Sequence, residues 1–518
     1  MSWTGKSSSM VIALDAVLLL LITFIAKAIP ALDSGLSPDA CVYLGIARNI
    51  ISGKGLIISY NVFQYWTGTS YPALVYQQSL FSIVITPILY LFNTVAAINI
   101  FNVIISCLNV VILYLFINHQ FGSRVLAFWA SALAGILPQM QFTSIFPWTE
   151  QLHILFVLLS LVLLVRGIES NSNMRIGLSG LLMGFGYLVR TANLFCIIAF
   201  LIAMWLLRKE YTGSFKKIIS FIFGAAIFII PFQLFCWFKY GAFYPEYASQ
   251  GMLYMFSGFM PGAYYSTLKP VLRMPALELN IFSSLIIILK HIIGFVKDLG
   301  IIGFFILPVG VWVFYRKSIF ETFLFILGIV NILFYAVTFY CYNPELEYQR
   351  YSVLSAFVFL PLIIMMVYQG KDLIKLKFFN KTISNPLFFY FIVVFILLYG
   401  GDALMQNMGY LDEGHVAFKK YVHSRQEEIY NWAEENISRE DLVATDLIQE
   451  TYFLNRPIVS VPYGKAATGK NFIDFLNIYK PRCIMVSDPY SNFIQANNLG
   501  YKLVFNNGYK SVFQRVDN

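Results

Sequence analysis

Long apolar runs alternate with short polar segments over the first 402 residues of the chain. The first run, residues 10–29, is long enough for one membrane crossing, because a spanning helix takes about 20 predominantly apolar residues. Runs of similar length recur, and together they predict about 11 transmembrane helices. We place these helices at residues 10–29, 96–117, 124–141, 150–166, 176–189, 191–207, 218–237, 298–315, 320–340, 351–368 and 386–402.

Residues 79–92 form a further apolar run, which Pro87 interrupts. The run is short for a membrane crossing, so it could instead lie along the membrane surface. We therefore assign residues 1–402 to a transmembrane domain whose first outer loop covers residues 30–95.

The pattern of residues 403–518 is different. The stretch "EEIYNWAEENISREDLVATD" predicts an amphipathic helix followed by a strand, and "NFIDFLNIYK" predicts a second helix. Short β-branched runs predict strands: these are "RPIVSVP", "RCIMVS", "YKLVF" and "SVFQRV". We therefore expect residues 403–518 to fold as a small α/β domain.

Composition agrees with a membrane protein. Of the 518 residues, 58% are hydrophobic, 17% are aromatic and only 12% are charged, whereas soluble domains carry about 25% charged residues. The fold class predicted is an α-helical polytopic membrane protein. The net charge of +9 could indicate a nucleic-acid partner, but the Lys and Arg residues form short clusters between the apolar runs. Such clusters are typical of cytoplasmic loops, so no nucleic-acid partner is expected.

These basic clusters also predict the orientation in the membrane. If the N-terminus is cytoplasmic, every cluster falls on the cytoplasmic side, as the positive-inside rule requires. The clusters are Arg124; Arg166 and Arg175; Arg208, Lys209, Lys216 and Lys217; Arg316 and Lys317; and Lys371, Lys375, Lys377 and Lys381. An odd number of spans then places residues 403–518 outside the cytoplasm. We expect a multi-pass protein of the plasma or inner membrane.

The stretch "SPDACVYLGIARNIISGKG" follows the first span. Pro38 is suited to the first helical turn, where Asp39 is favoured by the helix dipole. Tyr43 lies one turn later on the same face, and Gly53 and Gly55 end the helix. Asp39 is therefore either a solvated acid at a helix end or a carboxylate held at the membrane surface for chemistry.

This stretch resembles the first outer loop of the C-type membrane glycosyltransferases. The match is to the branch that contains the dolichyl-phosphate-mannose–protein mannosyltransferases and the lipid A aminoarabinose transferases. That family pattern has an Asp, often followed by Glu, then a Tyr and a helix ending in Gly-x-Gly, which here are Asp39, Tyr43, Gly53 and Gly55. Ala40 stands where the family often has Glu.

Further stretches resemble the same family, in the same order. "QQSLFSIVITPILYLFN" resembles a segment that usually begins His-Pro-Pro, which this chain lacks. Glu150 follows Thr149 at a helix start, and Arg190 follows a glycine-rich helix. Arg350 and Tyr351 begin a late helix. "LVATDLIQETYFLNRPIVSVP" resembles the start of the family's extracytoplasmic domain.

The resemblance implies transfer of a monosaccharide from a polyprenyl-phosphate carrier to an acceptor hydroxyl on the outer face of the membrane. A carboxylate is needed to accept the hydroxyl proton, and we assign this role to Asp39. Cations are needed at the leaving phosphate. The donor-phosphate candidates are Arg190, Arg350 and Lys54, and the substrate-positioning candidates are Tyr43, Glu150 and Tyr351.

Several alternatives remain open at this point. Arg190 and Arg350 could instead be cations that extend to the membrane surface from helix ends, and Glu150 could be an acid at a helix N-terminus. Lys54 and Arg48 could be solvated loop charges. The acceptor could be an envelope glycan, a lipid-linked saccharide, lipid A or a protein hydroxyl.

Two other classes of protein are also compatible with many apolar spans. A transporter or flippase would show inverted repeats and acids within its spans, and no such repeat is visible in the sequence. A membrane scaffold gives no reason for Asp39 and two arginines on one side of the membrane. The histidines are scattered and no acidic pair has metal-site spacing, so we expect no metal and no cofactor.

Overall fold

The computed structural model describes most of the helical part of the chain and much of its C-terminal part. The described residues are 9–34, 38–58, 73–74, 79–209, 214–240, 281–316, 318–342, 348–370, 394–395, 398, 413–446, 454, 456, 458–461, 470–487, 490–508 and 510–516. The predicted span at 386–402 lies almost entirely outside these residues.

Helices make up nearly all of the described chain before residue 371. They are α1 (Ser9–Asp33), α2 (Pro38–Ile51), α3 (Ser79–Phe92), α4 (Val95–Phe121), α5 (Arg124–Gly135), α6 (Pro138–Ile145), α7 (Glu150–Glu169), α8 (Asn173–Val189), α9 (Asn193–Leu206), α10 (Ser214–Tyr240), α11 (Ile281–Asp298), α12 (Ile301–Arg316), α13 (Ile319–Tyr342) and α14 (Tyr348–Gly370). A two-residue ladder of β1 (Ile57–Ile58) and β2 (Ala73–Leu74) lies between α2 and α3.

The C-terminal part combines three helices with a mixed sheet. The elements are α15 (Glu413–Asn436), β3 (Val443–Thr445), β4 (Ile458–Ser460), α16 (Lys470–Tyr479), β5 (Cys483–Val486), α17 (Tyr490–Asn497), β6 (Tyr501–Asn506) and β7 (Ser511–Arg515).

Within the described residues, 6 helices are each long and apolar enough to cross a membrane, and the number is 8 if each of two bent pairs forms one span. Every predicted span between residues 10 and 368 coincides with helix in the structure. Helices α8 and α9 are short, and α9 counts only as a short apolar helix. The total of about 11 spans therefore stays a prediction.

Both bent pairs depart from the predicted spans. The span predicted at 124–141 consists of α5 and α6, which meet at 56°, with Pro138 at the first turn of α6, where its missing N–H costs nothing. Helices α11 and α12 meet at 104° around Gly300, whose φ of +57° suits glycine. Helix α11, which covers Ile281–Asp298, lies outside the predicted spans apart from its last residue.

The chain divides into two compact units. The first comprises Met1–Ser34, Val95–Phe235 and Asn280–Tyr410, and the second comprises Gly35–Thr94, Cys236–Leu279 and Leu411–Asn518. The division of the chain at residue 402 into two sequence-contiguous domains stays a prediction.

In the first unit, α1 and α4 run antiparallel. The hydroxyl of Tyr114 donates to Asp15 near the start of α1, at 2.8 Å, and the Nζ of Lys27 donates to Ser106 Oγ, at 2.6 Å. Asn99 donates to the carbonyl oxygen of Ala31 at the other end of the pair, at 3.0 Å. The N-terminus of α1 therefore lies beside the C-terminus of α4.

Close packing of α8 against α10 depends on glycine. A methyl group on Gly180 would lie 2.0 Å from the carbonyl oxygen of Phe221, and one on Gly184 would lie 2.7 Å from that of Ala225. Gly224 of α10 likewise faces the carbonyl oxygen of Gly177. The glycine-rich stretch before Arg190 thus lets two helix backbones touch, as in other membrane helix pairs.

In the second unit, α2 has the boundaries that its sequence predicts. The helix begins at Pro38 with Asp39 in its first turn. The Lys54 N–H donates to the Asn49 carbonyl and the Gly53 N–H to the Ile50 carbonyl, which form a Schellman ending with Gly53 at φ +73°.

The C-terminal sheet has the strand order β4-β3-β5-β7-β6. Strand β3 pairs in parallel with β4 and β5, whereas β7 pairs antiparallel with β5 and β6. Helices α16 and α17 pack on the sheet through Phe472, Phe475 and Ile494. The predicted small α/β fold is confirmed for this part of the chain, and α17 is an additional helix that the pattern did not predict.

Candidate functional site

Glu150 begins helix α7. The preceding "PWT" stretch turns the chain so that the Trp148 N–H donates to the Phe146 carbonyl, at 2.8 Å. Thr149 precedes the helix, and its carbonyl accepts from the His153 N–H, at 2.9 Å. A carboxylate in the first turn of a helix is favoured by the positive end of the helix dipole.

Arg190 ends helix α8. Its backbone is extended, and its N–H donates to the Gly186 carbonyl, at 2.9 Å. The chain then turns directly into α9, because Asn193 donates back to the Met183 carbonyl, at 2.5 Å. A methyl group on Gly186 would lie 2.4 Å from the Asn193 amide nitrogen. This tight turn holds the Arg190 side chain beside the start of α7.

Arg350 lies in the first turn of helix α14. Two residues later, the Ser352 hydroxyl donates to Asp298 Oδ2 at the end of α11, at 2.5 Å. Asn331 of α13 donates to the Tyr351 carbonyl, at 3.2 Å. These contacts fix the start of α14 against two neighbouring helices.

The three charged side chains meet at one oxygen atom. Nη1 of Arg190 lies 2.6 Å from Oε1 of Glu150, and Nε of Arg350 donates to the same Oε1. Arg190 also donates to Thr149 Oγ1, at 3.1 Å, and to the Tyr335 hydroxyl, at 3.2 Å. We call Glu150, Arg190 and Arg350 the charged triad.

All members of the charged triad are buried: Glu150 is 2% exposed, Arg350 is 5% and Arg190 is 7%. Arginines that extend to the membrane surface from helix ends would be solvated, so that alternative does not describe this arrangement. Buried charges are expensive unless they are paired and hydrogen-bonded. The pairing therefore explains how three charged side chains can be buried inside the first unit.

Aromatic rings enclose the triad. The guanidinium carbon of Arg350 lies 4.3 Å from the Trp148 ring centroid and 5.5 Å from that of Tyr351. The guanidinium of Arg190 lies 5.3 Å from the Tyr351 ring, and the Tyr335 and Tyr351 rings are 4.8 Å apart. Rings in these positions stabilise the cations and limit access of water.

Some polar atoms of the cluster are not used within the described part of the chain. Glu150 Oε2 and His153 Nδ1 are buried and have no hydrogen-bond partner there. Arg190 Nη2 likewise makes no hydrogen bond to any residue that the structure describes. Guanidinium groups bind phosphate oxygens well, so the arrangement is chemically suited to an oxyanion.

The remaining candidates lie in the second unit. Tyr43 is buried and packs edge-to-face on Phe81, with centroids 5.2 Å apart. Asp39 is half-buried in the first turn of α2, and the Lys54 side chain is exposed just after the helix. The structure thus brings together Glu150, Arg190, Arg350 and Tyr351, whereas Asp39, Tyr43 and Lys54 belong to the α2 segment.

The sequence analysis did not identify two aromatic residues that contact the charged triad. Trp148 lies two residues before Glu150, and its aromatic side chain beside a helix-start acid was an available signal. Tyr335 is in the interior of α13 and is distant in sequence from its partner Arg190, so only the fold reveals it. Among the described residues, no three His, Cys, Asp or Glu side chains are grouped to hold a metal ion.

Two comparisons of sequence bear on this architecture. The family model of dolichyl-phosphate-mannose–protein mannosyltransferases matches residues 79–237. This region includes both Glu150 and Arg190. A search of curated protein sequences finds no significant match.

Solved structures share the fold. ArnT from Cupriavidus metallidurans, bound to undecaprenyl phosphate, has a TM-score of 0.59 and 12% identity, with 98% of this chain and 99% of that chain covered. The oligosaccharyltransferase of Archaeoglobus fulgidus, in complex with Zn and sulfate, has a TM-score of 0.59 and 13% identity. The match covers 91% of this chain and 67% of that chain. The archaeal oligosaccharyltransferase AglB from the same organism, in complex with an inhibitory peptide and a dolichol-phosphate, has a TM-score of 0.56 and 12% identity. The match covers 94% of this chain and 70% of that chain.

The match of the family model over residues 79–237 confirms the resemblance to this family of C-type glycosyltransferases, and the solved structures show a shared fold. They also confirm the fold class, an α-helical polytopic membrane protein with a small C-terminal α/β part.

Proposed function

We propose that the protein is an integral membrane glycosyltransferase that transfers a monosaccharide from a polyprenyl-phosphate donor to an acceptor hydroxyl. The observation that carries this proposal is the charged triad: two buried guanidinium groups meet at Glu150 inside an aromatic enclosure. Support also comes from the shared fold with proteins whose structures contain undecaprenyl phosphate or dolichol-phosphate.

In this proposal, Arg190 and Arg350 contact the phosphate of the carrier. The phosphate leaves with the electron pair of the glycosidic C–O bond, so its negative charge grows in the transition state. Fixed guanidinium donors in a site of low polarity stabilise such charge strongly. Glu150 and Tyr351 position the two guanidiniums, and exposed Lys54 supplies a further cation near α2.

Asp39 acts as the general base. It accepts the proton of the acceptor hydroxyl as that oxygen attacks the anomeric carbon and the carrier phosphate departs from the opposite face. One base and one in-line displacement suffice, so the configuration of the anomeric carbon inverts. Tyr43 packs on Phe81 and orients the helix that presents Asp39.

Basic loop clusters support a plasma- or inner-membrane location with the chemistry and residues 403–518 on the extracytoplasmic side. The acceptor class within this proposal is a hydroxyl of an envelope glycan, a lipid-linked saccharide, lipid A or a protein.

The test is transfer by purified protein in lipid nanodiscs. Radiolabelled polyprenyl-phosphate sugars are offered in a panel, each with envelope lipids, lipid-linked saccharides or peptide acceptors, and the product and released polyprenyl phosphate are measured together. The proposal expects equal amounts of both with one donor. Movement of an intact donor across a vesicle membrane without release of polyprenyl phosphate would favour a flippase instead.

A further inference from the structure

A second charged cluster lies in the first unit near the start of α1. Asp15 is 6% exposed, and its Oδ2 accepts hydrogen bonds from the Tyr114 hydroxyl, at 2.8 Å, and from Arg124 Nε, at 2.5 Å. Unlike Asp15, Arg124 is exposed: 46% of its side-chain surface is accessible. The helix N-cap is made by Ser123, whose hydroxyl accepts from the Leu126 N–H, so the start of α5 is well defined.

This cluster is separate from the charged triad. It lies beside the C-terminal end of α4, because Tyr114 is close to that end. On the same helix, Asn102 donates to the Phe146 carbonyl, at 2.6 Å, and Asn109 donates to Gln151, at 2.9 Å. The chain leading into α7 and Glu150 therefore contacts the first half and the middle of α4, whereas Tyr114, which donates to Asp15, lies further towards its C-terminal end.

A cavity of about 240 Å³ opens at this cluster. Its polar wall is the Asp15–Arg124 pair, and the rest of its lining is apolar or aromatic. The lining residues are Asp15, Leu18, Arg124, Val125, Phe128 and Trp129. Leu18 is 44% exposed and Val125 is 51% exposed. Exposed apolar side chains on a membrane-spanning helix face acyl chains, so the cavity is open to lipid.

The two charged groups retain unused hydrogen-bonding atoms. Both bonds to Asp15 use Oδ2, and Oδ1 accepts from no residue that the structure describes. The Nη atoms of Arg124 likewise donate to none of the described residues. As far as the described residues go, the cavity thus presents a cation with unused donors directly beside an anion with an unused acceptor.

The depth of Asp15 in the membrane is compatible with contact to a lipid headgroup. Asp15 is six residues into α1, which is about 9 Å along the helix from Ser9. Helix α1 is longer than the hydrocarbon core of about 30 Å, since its 24-residue span covers about 36 Å. A span centred on the core extends about 3 Å beyond it at each end, so Asp15 lies about 6 Å inside the acyl-chain region, a depth from which a long Arg side chain can reach the surface.

We propose that this cavity binds one phospholipid with an ammonium headgroup of the phosphatidylethanolamine type. The lipid phosphate contacts the Nη atoms of Arg124, the primary ammonium donates to Oδ1 of Asp15, and the acyl chains lie along Leu18 and Val125. A zwitterionic headgroup matches a paired acid and base without leaving net charge in the site. An anionic headgroup would satisfy Arg124 alone, and a trimethylammonium group has no N–H to donate.

The test is native mass spectrometry of the full-length protein released from nanodiscs that contain equal amounts of dioleoyl phosphatidylethanolamine, phosphatidylcholine and phosphatidylglycerol. The expected result is one retained phosphatidylethanolamine, bound about 10-fold more tightly than the other two lipids, as a charge-assisted hydrogen bond supplies. Arg124→Gln and Asp15→Asn each remove this preference. Arg175→Gln, an exposed arginine outside the cavity, preserves it.

A further variant tests the proposal without changing either charge, in case the charge variants misfold. Val125→Trp fills the cavity without altering either charge, and it is expected to remove the bound lipid while sugar transfer continues. The proposal is overturned if phosphatidylglycerol or phosphatidylcholine is retained as strongly as phosphatidylethanolamine. It is also overturned if lipid retention by Val125→Trp and Arg124→Gln equals that of Arg175→Gln.

Discussion

Nη1 of Arg190 lies 2.6 Å from Oε1 of Glu150, joining the end of α8 to the beginning of α7. The same oxygen accepts a hydrogen bond from Arg350 at the start of α14. One carboxylate thus holds three helix ends together through two guanidiniums. Such a pairing has both a structural and a functional consequence, and the two can be measured separately.

The structural consequence concerns Glu150→Gln. Removing the carboxylate leaves two buried guanidiniums without their shared anion, and breaking a buried ion pair in this way costs about 3–5 kcal/mol. We expect a large drop in the thermal midpoint of the detergent-solubilised protein. Glu169→Gln is the matched control, because Glu169 is an exposed acid at the opposite end of α7. Equal midpoints for the two variants would show that the triad does not stabilise the fold.

The functional consequence concerns Arg190→Ala and Arg350→Ala. If a guanidinium contacts the carrier phosphate, its loss removes a charge-assisted hydrogen bond of about 1.5–3 kcal/mol. Donor affinity is then expected to fall by roughly 10- to 150-fold, measured by binding of a labelled polyprenyl-phosphate sugar to folded protein.

Two further variants serve as controls for the measurement of donor affinity. Arg175→Ala changes an exposed arginine at the other end of α8 and is expected to leave donor binding unchanged. Arg190→Lys keeps the charge but loses the planar set of donors, so its affinity is expected to be intermediate. A folded Arg190→Ala variant with wild-type affinity would exclude this residue from the phosphate site.

Helix packing provides a test that is independent of catalysis. A methyl group on Gly180 would lie 2.0 Å from the Phe221 carbonyl oxygen, whereas one on Gly177 would lie 3.6 Å from that of Ser220, an ordinary contact. We expect Gly180→Ala to destabilise the protein by about 1–3 kcal/mol through overpacking. Gly177→Ala, on the same helix face, is expected to be neutral or slightly stabilising. Equal unfolding temperatures for the two would contradict the close approach of α8 and α10.

The orientation in the membrane is testable with reporter fusions. A reporter that is active only outside the cytoplasm, fused after Asn518, is expected to be active, because all basic loop clusters then lie inside. The same reporter inserted after Asn171, between α7 and α8, is expected to be inactive. The reverse pair of results would overturn the topology, and with it the assignment of Asp39 to the outer face.

Much of the helical architecture follows from local pattern. Apolar runs predict the helices because lipid requires every backbone group to be bonded within its own segment. The ends of α2 follow from Pro38 and Gly53 for equally local reasons. Helix α11 was missed because Lys290, His291 and Lys297 interrupt the apolar residues of this stretch.

The charged triad was only partly accessible from the sequence. Glu150, Arg190 and Arg350 were each recognised from local motifs, but nothing local indicates that two cations share one carboxylate oxygen. Residues 150 and 350 are joined by tertiary packing, and Tyr335 enters only because α13 passes the end of α8. Burial of the triad likewise depends on packing, so snorkelling at helix ends was a reasonable alternative until the fold was known.

The sharpest prediction concerns Asp39, which the helix start at Pro38 holds in the first turn of α2. Asp39→Asn preserves the shape of the side chain but cannot accept the acceptor proton, and general base catalysis contributes about 10²–10⁴-fold. We expect turnover to fall by that factor while donor affinity is unchanged, because the carboxylate acts on the acceptor hydroxyl. Asp33→Asn, at the end of α1, is the control and should retain activity. If Asp33→Asn abolishes transfer and Asp39→Asn does not, the base is a different carboxylate within the same enzyme class. If both variants transfer sugar at the wild-type rate, the base lies outside this loop.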